Sequence, residues 1–287
     1  MEFKEKFIAF VDILGFKNLV RAAEAGTGMP LDDLLKLAGR LRSPLGRDQR
    51  PTGGTGICPN SPCLQSDLDF CVTQISDCVL VSSEISPAGI INLVNHCWIA
   101  VFYLLREGIM CRGFITKGPI YHTETQMMGS GYERAWENEK HVSAFKHQAD
   151  ERGTPYVEVD KSVVDYVNSC GDWCVKEMFA RCVRSDGEIT ALFPFKRLGH
   201  SFVVAGTAQP FDADRERRAN ANVRSAIRQM QERVQSFLDQ SNPSAVRKVA
   251  HYMAALDAQL AQCDKTDKFI EAIMRSASSQ HDSNSQA

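Results

Sequence analysis

Two carboxylates in this chain stand where a reaction is easily built. The apolar run FIAFV (7–11) leads straight into Asp12, followed by Ile13, Leu14, Gly15 and Phe16. An ionised group ending a strand that is buried on both faces must be paired, hydrogen-bonded or bound to a cation. Asp77 lies within VTQISDCVLV (72–81), which reads as two short strands bent at Ser76 and Asp77. Two carboxylates at strand ends suit a pair of divalent cations about 3.5–4 Å apart, which can clamp the attacking and leaving oxygens of a phosphoryl transfer. Oxygen ligands select Mg²⁺ or Mn²⁺. The turn from Ile13 to Phe16 can offer backbone N–H groups to phosphate oxygens at a helix start. Arg112, set among apolar neighbours, supplies a planar cation that suits a phosphate. Each feature also has a plainer explanation: a strand-end Asp often shapes a turn, and a buried Arg often closes a structural ion pair.

The elements that must position these residues are readable from periodicity and turn chemistry. Residues 6–12 read as a strand, and Phe16 to about Arg42 as helix broken near Gly26–Pro30, with Asp32 as the cap of its second part. Residues 43–66 are rich in Gly and Pro and read as a long loop, either a mobile insertion or a lid. Strands at 68–75 and 78–83 form a hairpin, and Ser86-Pro87 opens a long buried helix ending near Gly108. Met110–Lys117 is a strand turned by Gly118-Pro119, and a helix runs from Gly129–Gly131 to about Ala149. A strand at Tyr156–Val159 precedes a short helix capped by Asp160. Val175–Cys182, Ile189–Phe193 and Ser201–Val204 read as strands.

From Asp212 the chain is helical. Val223, Ile227, Met230, Val234 and Phe237 form one stripe, a second helix follows Pro243-Ser244 and a third starts near Lys268. The expected fold is α/β (α+β): a ferredoxin-like βαββαβ core with helices on one face of a sheet, then additional strands and a C-terminal helical extension. The expected organisation is a catalytic domain over 1–205, the extension over 206–275 and a disordered tail over 276–287.

Composition narrows the function classes. The 287 residues are 44% hydrophobic and 24% charged, with a net charge of −2, so no global field draws the chain to nucleic acid or to a membrane. The apolar segment Ala88–Leu105 is broken by Asn92, Asn95 and His96 and reads as a buried helix. No signal peptide is apparent, and ten Cys fit a cytosolic chain with reduced thiols. The pairs Cys58/Cys63 and Cys170/Cys174 lack the paired CxxC spacing of a zinc site. His96, His122, His141 and His147 show no metal-like spacing, and the Arg-rich start of the C-terminal helices is interleaved with acids, as on a solvated face.

A family resemblance gathers these fragments. FVDILGF (10–16) resembles the first metal motif of class III nucleotidyl cyclases, and ISDC (75–78) resembles their second, with Ser76 where Gly is usual. RGFITKGP (112–119) is similar to their Arg-initiated strand. With GSGYERAWENE (129–139), the set looks like the pyrimidine cyclases of bacterial Pycsar antiphage systems.

The resemblance implies that Asp12, Asp77 and the Ile13 carbonyl ligate two Mn²⁺ or Mg²⁺ ions, with Ile13–Phe16 and Arg112 holding the triphosphate. The ribose 3′-OH would attack the α-phosphorus and pyrophosphate would leave. The base-reading positions map to Thr73 and Gln126, and neither purine-specific pair is present. The resemblance therefore implies a pyrimidine triphosphate, with uracil and cytosine both compatible with these residues; UTP is the first expectation, with cyclic UMP as the product made to activate a separate effector protein. The family's transition-state Asn and Arg map to Glu133 and Glu137; Arg134 is the available substitute. The family works as head-to-tail dimers with composite sites, so a homodimer is expected. The alternatives are a purine cyclase and a cyclase-like nucleotide sensor without turnover.

Overall fold

The computed structural model describes residues 2–45, 58, 60–65, 67–198 and 211–284. Most of the 43–66 loop and the strand expected at Ser201–Val204 lie outside the described residues. At the centre of the sheet is β1 (Lys4–Ile13), flanked antiparallel by β3 (Cys78–Glu84) and β4 (Cys111–His122). Beyond β3 lies β2 (Phe70–Ile75). Beyond β4 lie β6 (Val157–Val159), β8 (Ile189–Leu192) and β7 (Val183–Asp186). The order is β2-β3-β1-β4-β6-β8-β7, with β5 (Met127–Met128) paired to the end of β4. The β4–β6 pair is parallel, so this eight-stranded sheet is mixed.

The two-residue repeat of β1 divides the core. Phe7, Ala9, Val11 and Ile13 pack with α2 (Leu31–Arg42), α3 (Pro87–Arg106), α5 (Lys161–Ser169) and α6 (Trp173–Cys182). Ile8 and Phe10 join Leu80, Ile120 and Ala135 of α4 (Ser130–Glu139) on the other face. Burial on both faces is what makes the β1 run continuously apolar. Helices therefore cover both faces, where the sequence suggested one. By length and composition α3 could cross a membrane, but 72% of its most apolar stretch is buried in this core. A second core joins α7 (Ala213–Ser236) and α8 (Pro243–Asn284) to Leu105, Tyr156 and Phe193.

Several local expectations change. Val175–Cys182 belongs to α6: Val175, Phe179 and Cys182 are buried at helical spacing, and Asp172 caps the start by accepting from the Cys174 N–H at 2.8 Å. The strand β4 runs through Gly118-Pro119 to His122, because β6 pairs only as far as Ile115 and leaves Pro119 on an open edge. Helix α4 ends at Glu139, ten residues before the expected stop near Ala149. Asp32 lies inside the first turn of α2, whose N-cap is Pro30. A single helix, α8, replaces the two expected after Pro243 and continues past Ser276 to Asn284.

Glycines set the height of α4 above the sheet. A Cβ on Gly118 would stand 2.9 Å from the Gly131 Cα, so helix and strand backbones nearly touch. Gly118→Val should cost about 1–3 kcal/mol by forcing α4 outward. Urea denaturation reads the loss directly.

Candidate functional site

The end of β1 gathers the acidic residues. Asp12 pairs in register with Cys78 on one side and Arg112 on the other. The bend between β2 and β3 is tied to the same place, because the Ile13 N–H donates to the Asp77 carbonyl at 3.0 Å. Ser76, in the left-handed region at φ 54°, makes that bend tight. The Leu14 N–H donates to the Met110 carbonyl at 2.9 Å. Two of the four turn residues assigned to phosphate binding thus have their N–H groups engaged. Gly15 follows at φ 78° and starts α1 (Phe16–Glu24), which no side chain caps. The Phe16 side chain is buried in the core.

Arg112 is not left free. Its Nε donates to Glu139 Oε1 at 2.5 Å, with the two side chains only 16% and 4% exposed. Gly153 leaves room for the guanidinium, since a Cβ there would meet Arg112 Nη1 at 2.8 Å. Glu139 is the functional neighbour that sequence reading missed. Its signal was present: Gly131, Ala135 and Glu139 form the buried stripe of α4 at a four-residue step. Lys248 of α8 is the second unforeseen residue. It is half-buried within electrostatic reach of Arg112, Glu139 and Asp12, and burial, then the Arg112 charge, push its amine below the usual lysine range.

Carboxylates outnumber cations here. Burial, then the charges of Asp77 and Glu139, raise the Asp12 carboxyl from 3.8 to about 7, against the opposing pull of Arg112. Burial and then Asp12, Asp77 and Glu139 push the Cys78 thiol up to about 12, so it stays protonated and donates to the Ile75 carbonyl at 3.1 Å. The available donors are therefore hard oxygens, the set that Mg²⁺ or Mn²⁺ prefers. Among the described residues no three His, Cys, Asp or Glu side chains are already gathered around one point.

The other assigned residues lie elsewhere on the same face. The Thr73 hydroxyl donates to the carbonyls of Thr123 (3.0 Å) and Glu124 (3.2 Å) and sits 3.0 Å from His122 Nε2. Ser82 Oγ lies 2.7 Å from His122 Nδ1. Burial pushes His122 down to about 4, so the ring is neutral and links the two hydroxyls. Thr73 is thereby buried and occupied, while Gln126 is exposed on the adjoining 123–126 turn. Arg134 is exposed and donates to the Lys117 carbonyl at 3.4 Å, several residues along β4 from Arg112. Glu133 and Glu137 are also exposed on α4.

No protein-family model matches the sequence, and no curated protein matches it either.

The charge balance has a pH signature. Between about pH 4 and 7 the folded chain holds a proton on Asp12 that the unfolded chain has released, so this residue's contribution to stability falls as pH rises through that window. Asp12→Asn should stabilise the metal-free protein at pH 8 by about 2 kcal/mol, roughly half of what the shift alone gives, because the group is partly solvated. The gain should shrink toward pH 4, as urea unfolding of both proteins across the range will show. Arg112→Met should cost about 3–5 kcal/mol by leaving Glu139 buried without its partner. The double variant Arg112→Met/Glu139→Leu should recover a large part of that loss in the same assay.

Proposed function

We propose that this protein is a class III-like nucleotidyl cyclase that converts a pyrimidine nucleoside triphosphate, UTP first, to the 3′,5′-cyclic monophosphate and pyrophosphate. One observation carries the reading: the strand end that holds Asp12 and the bend that holds Asp77 are joined by the hydrogen bond from the Ile13 N–H to the Asp77 carbonyl, with Arg112 in register beside Asp12 and the uncapped α1 starting at Phe16. The topology supports it. Strands β1 to β4, with helices between β1 and β2 and between β3 and β4, stand in the antiparallel order β2-β3-β1-β4, an order that a ferredoxin-like palm would also have.

Two Mg²⁺ or Mn²⁺ ions held by Asp12, Asp77 and the Ile13 carbonyl would supply the charge neutralisation that an in-line phosphoryl transfer needs. The chain's own residues bind and orient. The N–H groups of Gly15, Phe16 and Lys17 would face the phosphates at the helix start, since those of Asn18 and Leu19 donate to the Gly15 carbonyl. Arg112, braced by Glu139, contributes to the local potential at Asp12, its register partner; its pairing leaves it less free to clamp a triphosphate than the family pattern implies. With Thr73 sealed inside, Gln126 is the residue left to read a base, and its amide offers the donor and acceptor that uracil or cytosine can match.

Arg134 stands away from Asp12 in its own chain, which favours a homodimer in which the partner completes each site. The product would act in the cytosol on a separate effector in antiphage defence. A purine cyclase is the neighbouring alternative. A nucleotide sensor without turnover is favoured by one observation, the pairing of Arg112 with Glu139.

The four common nucleoside triphosphates, each incubated with the protein and Mn²⁺, should give cyclic UMP as the dominant product. Asp12→Asn and Asp77→Asn should each lower turnover at least about 100-fold with the fold retained by circular dichroism. Cyclic AMP or GMP as the main product would select the purine alternative. Metal-dependent binding without product would select the sensor.

A further inference from the structure

A cleft opens between the 148–153 segment and the first turns of α8. Three cations line it: Arg152, Arg247 and Lys248. The two arginines are exposed and the lysine is half-buried. Among the described residues, none of these three side chains makes an ion pair or a hydrogen bond. Like charges brought together in this way repel one another unless an anion comes among them. The acids of the lining do not balance them. Glu151 is turned to the histidines: its Oε1 lies 2.8 Å from His251 Nε2, and its Oε2 accepts the His147 N–H at 2.8 Å. That leaves the exposed Asp150 against three cations. Gly153 also lines the cleft, and the candidate site lies behind it. A Cβ on Gly153 would meet Arg112 Nη1 at 2.8 Å, so one glycine backbone is shared by the cleft and by the guanidinium that stands in register beside Asp12. The Gly153 N–H donates to the Val142 carbonyl at 2.6 Å, which fixes that partition.

We propose that this cleft holds the terminal phosphates of a nucleoside triphosphate through Arg152, Arg247 and Lys248. The nucleotide rests on the cyclase reading; the phosphates rest on the cleft itself. Size selects a fragment over a whole molecule. The cleft encloses about 140 Å³, below the roughly 300–1,000 Å³ of a site that surrounds a complete ligand. Its donors suit phosphate oxygens: each guanidinium offers a planar fork of N–H groups, and the ammonium a compact point charge. Its place supplies what the neighbouring site lacks. Arg112 is taken by Glu139, so a triphosphate whose α-phosphorus lies at Asp12 needs cations from another element. Helix α8 brings two of them, and the 148–153 segment brings the third. The C-terminal extension is then part of the substrate site, and the departing pyrophosphate is held by the same three side chains.

Calorimetry on the full chain with Mg²⁺ reads binding of two probes: 3′-deoxy-UTP, which lacks the attacking hydroxyl, and UMP, which lacks the terminal phosphates. Arg152→Ala, Arg247→Ala and Lys248→Met should each weaken 3′-deoxy-UTP binding about tenfold or more and leave UMP binding unchanged. Lys146→Ala removes an exposed cation that does not line the cleft, and it should alter neither. In turnover the two arginine variants should raise KM with kcat nearly kept. Inorganic tripolyphosphate separates the cleft from the cyclase reading. It should bind the unaltered chain, compete with 3′-deoxy-UTP and lose affinity in the same variants. If it does so while no triphosphate is cyclised, the phosphate cleft stands and the cyclase reading falls. If UTP is cyclised while the arginine variants bind tripolyphosphate and 3′-deoxy-UTP as tightly as the unaltered chain, the cleft is overturned and the cyclase reading stands. An equal loss in Lys146→Ala would also overturn it, since the attraction would then be diffuse. If Lys248→Met fails to fold by circular dichroism, the two exposed arginines decide.

Discussion

Three carboxylates share the end of the central strand with one guanidinium, and much of the surrounding structure answers to that imbalance. Arg112 is taken by Glu139, so Asp12 and Asp77 are left without an equivalent partner. Burying such groups is costly unless a cation or a proton compensates. At Asp12 a proton does so, because burial and then the charges of Asp77 and Glu139 raise its titration to about 7. The β1 register, the hairpin bend and the placement of α4 each bring a carboxylate to this end of the sheet. A change in any of them alters the charge balance as well as the packing.

The same constraint orders the roles of the two helices that reach the site. Helix α4 delivers Glu139 on its buried stripe, and the Gly118–Gly131 approach holds it low enough for the carboxylate to reach Arg112. Helix α8 brings Lys248 toward the same charges from the far end of the chain. Neither cation is a freely mobile surface group. Arg112 is fixed by its pair with Glu139, and the Lys248 amine is half-buried.

The sequence was most legible where burial imposed a simple pattern. The β1 run, the 70–84 hairpin, and α3 with its Ser86 cap all followed from apolar continuity and turn chemistry. Short segments were harder. Val175–Cys182 mixes residues that suit strand and helix alike, and only the Asp172 cap tips it to helix. Pro119 looked like a turn because the sequence does not say that one edge of β4 is open. For the site, the positions of Asp12 and Asp77 were readable, but their company was not. Whether an Arg is free depends on a partner far along the chain, here Glu139, and the occupation of Thr73 depends on His122 and the 123–126 turn. Tertiary hydrogen bonds of this kind leave little trace in local spacing.

The docking of α8 has a consequence for biosynthesis. Tyr252 is fully buried, with Cys111, the neighbour of Arg112, close enough to act on its hydroxyl. Its neighbours Val249 and Leu256 fill the core shared with Tyr156 and Phe193. The strands that hold Asp12 and Asp77 leave the ribosome long before this helix exists. A nascent chain therefore carries its carboxylates for some time with one wall of the site missing and apolar surface uncovered, the state in which growing chains recruit chaperones. Completion of the charged centre is thus coupled to synthesis of α8, and a product cut short before it would lack the wall that Lys248 and Tyr252 supply.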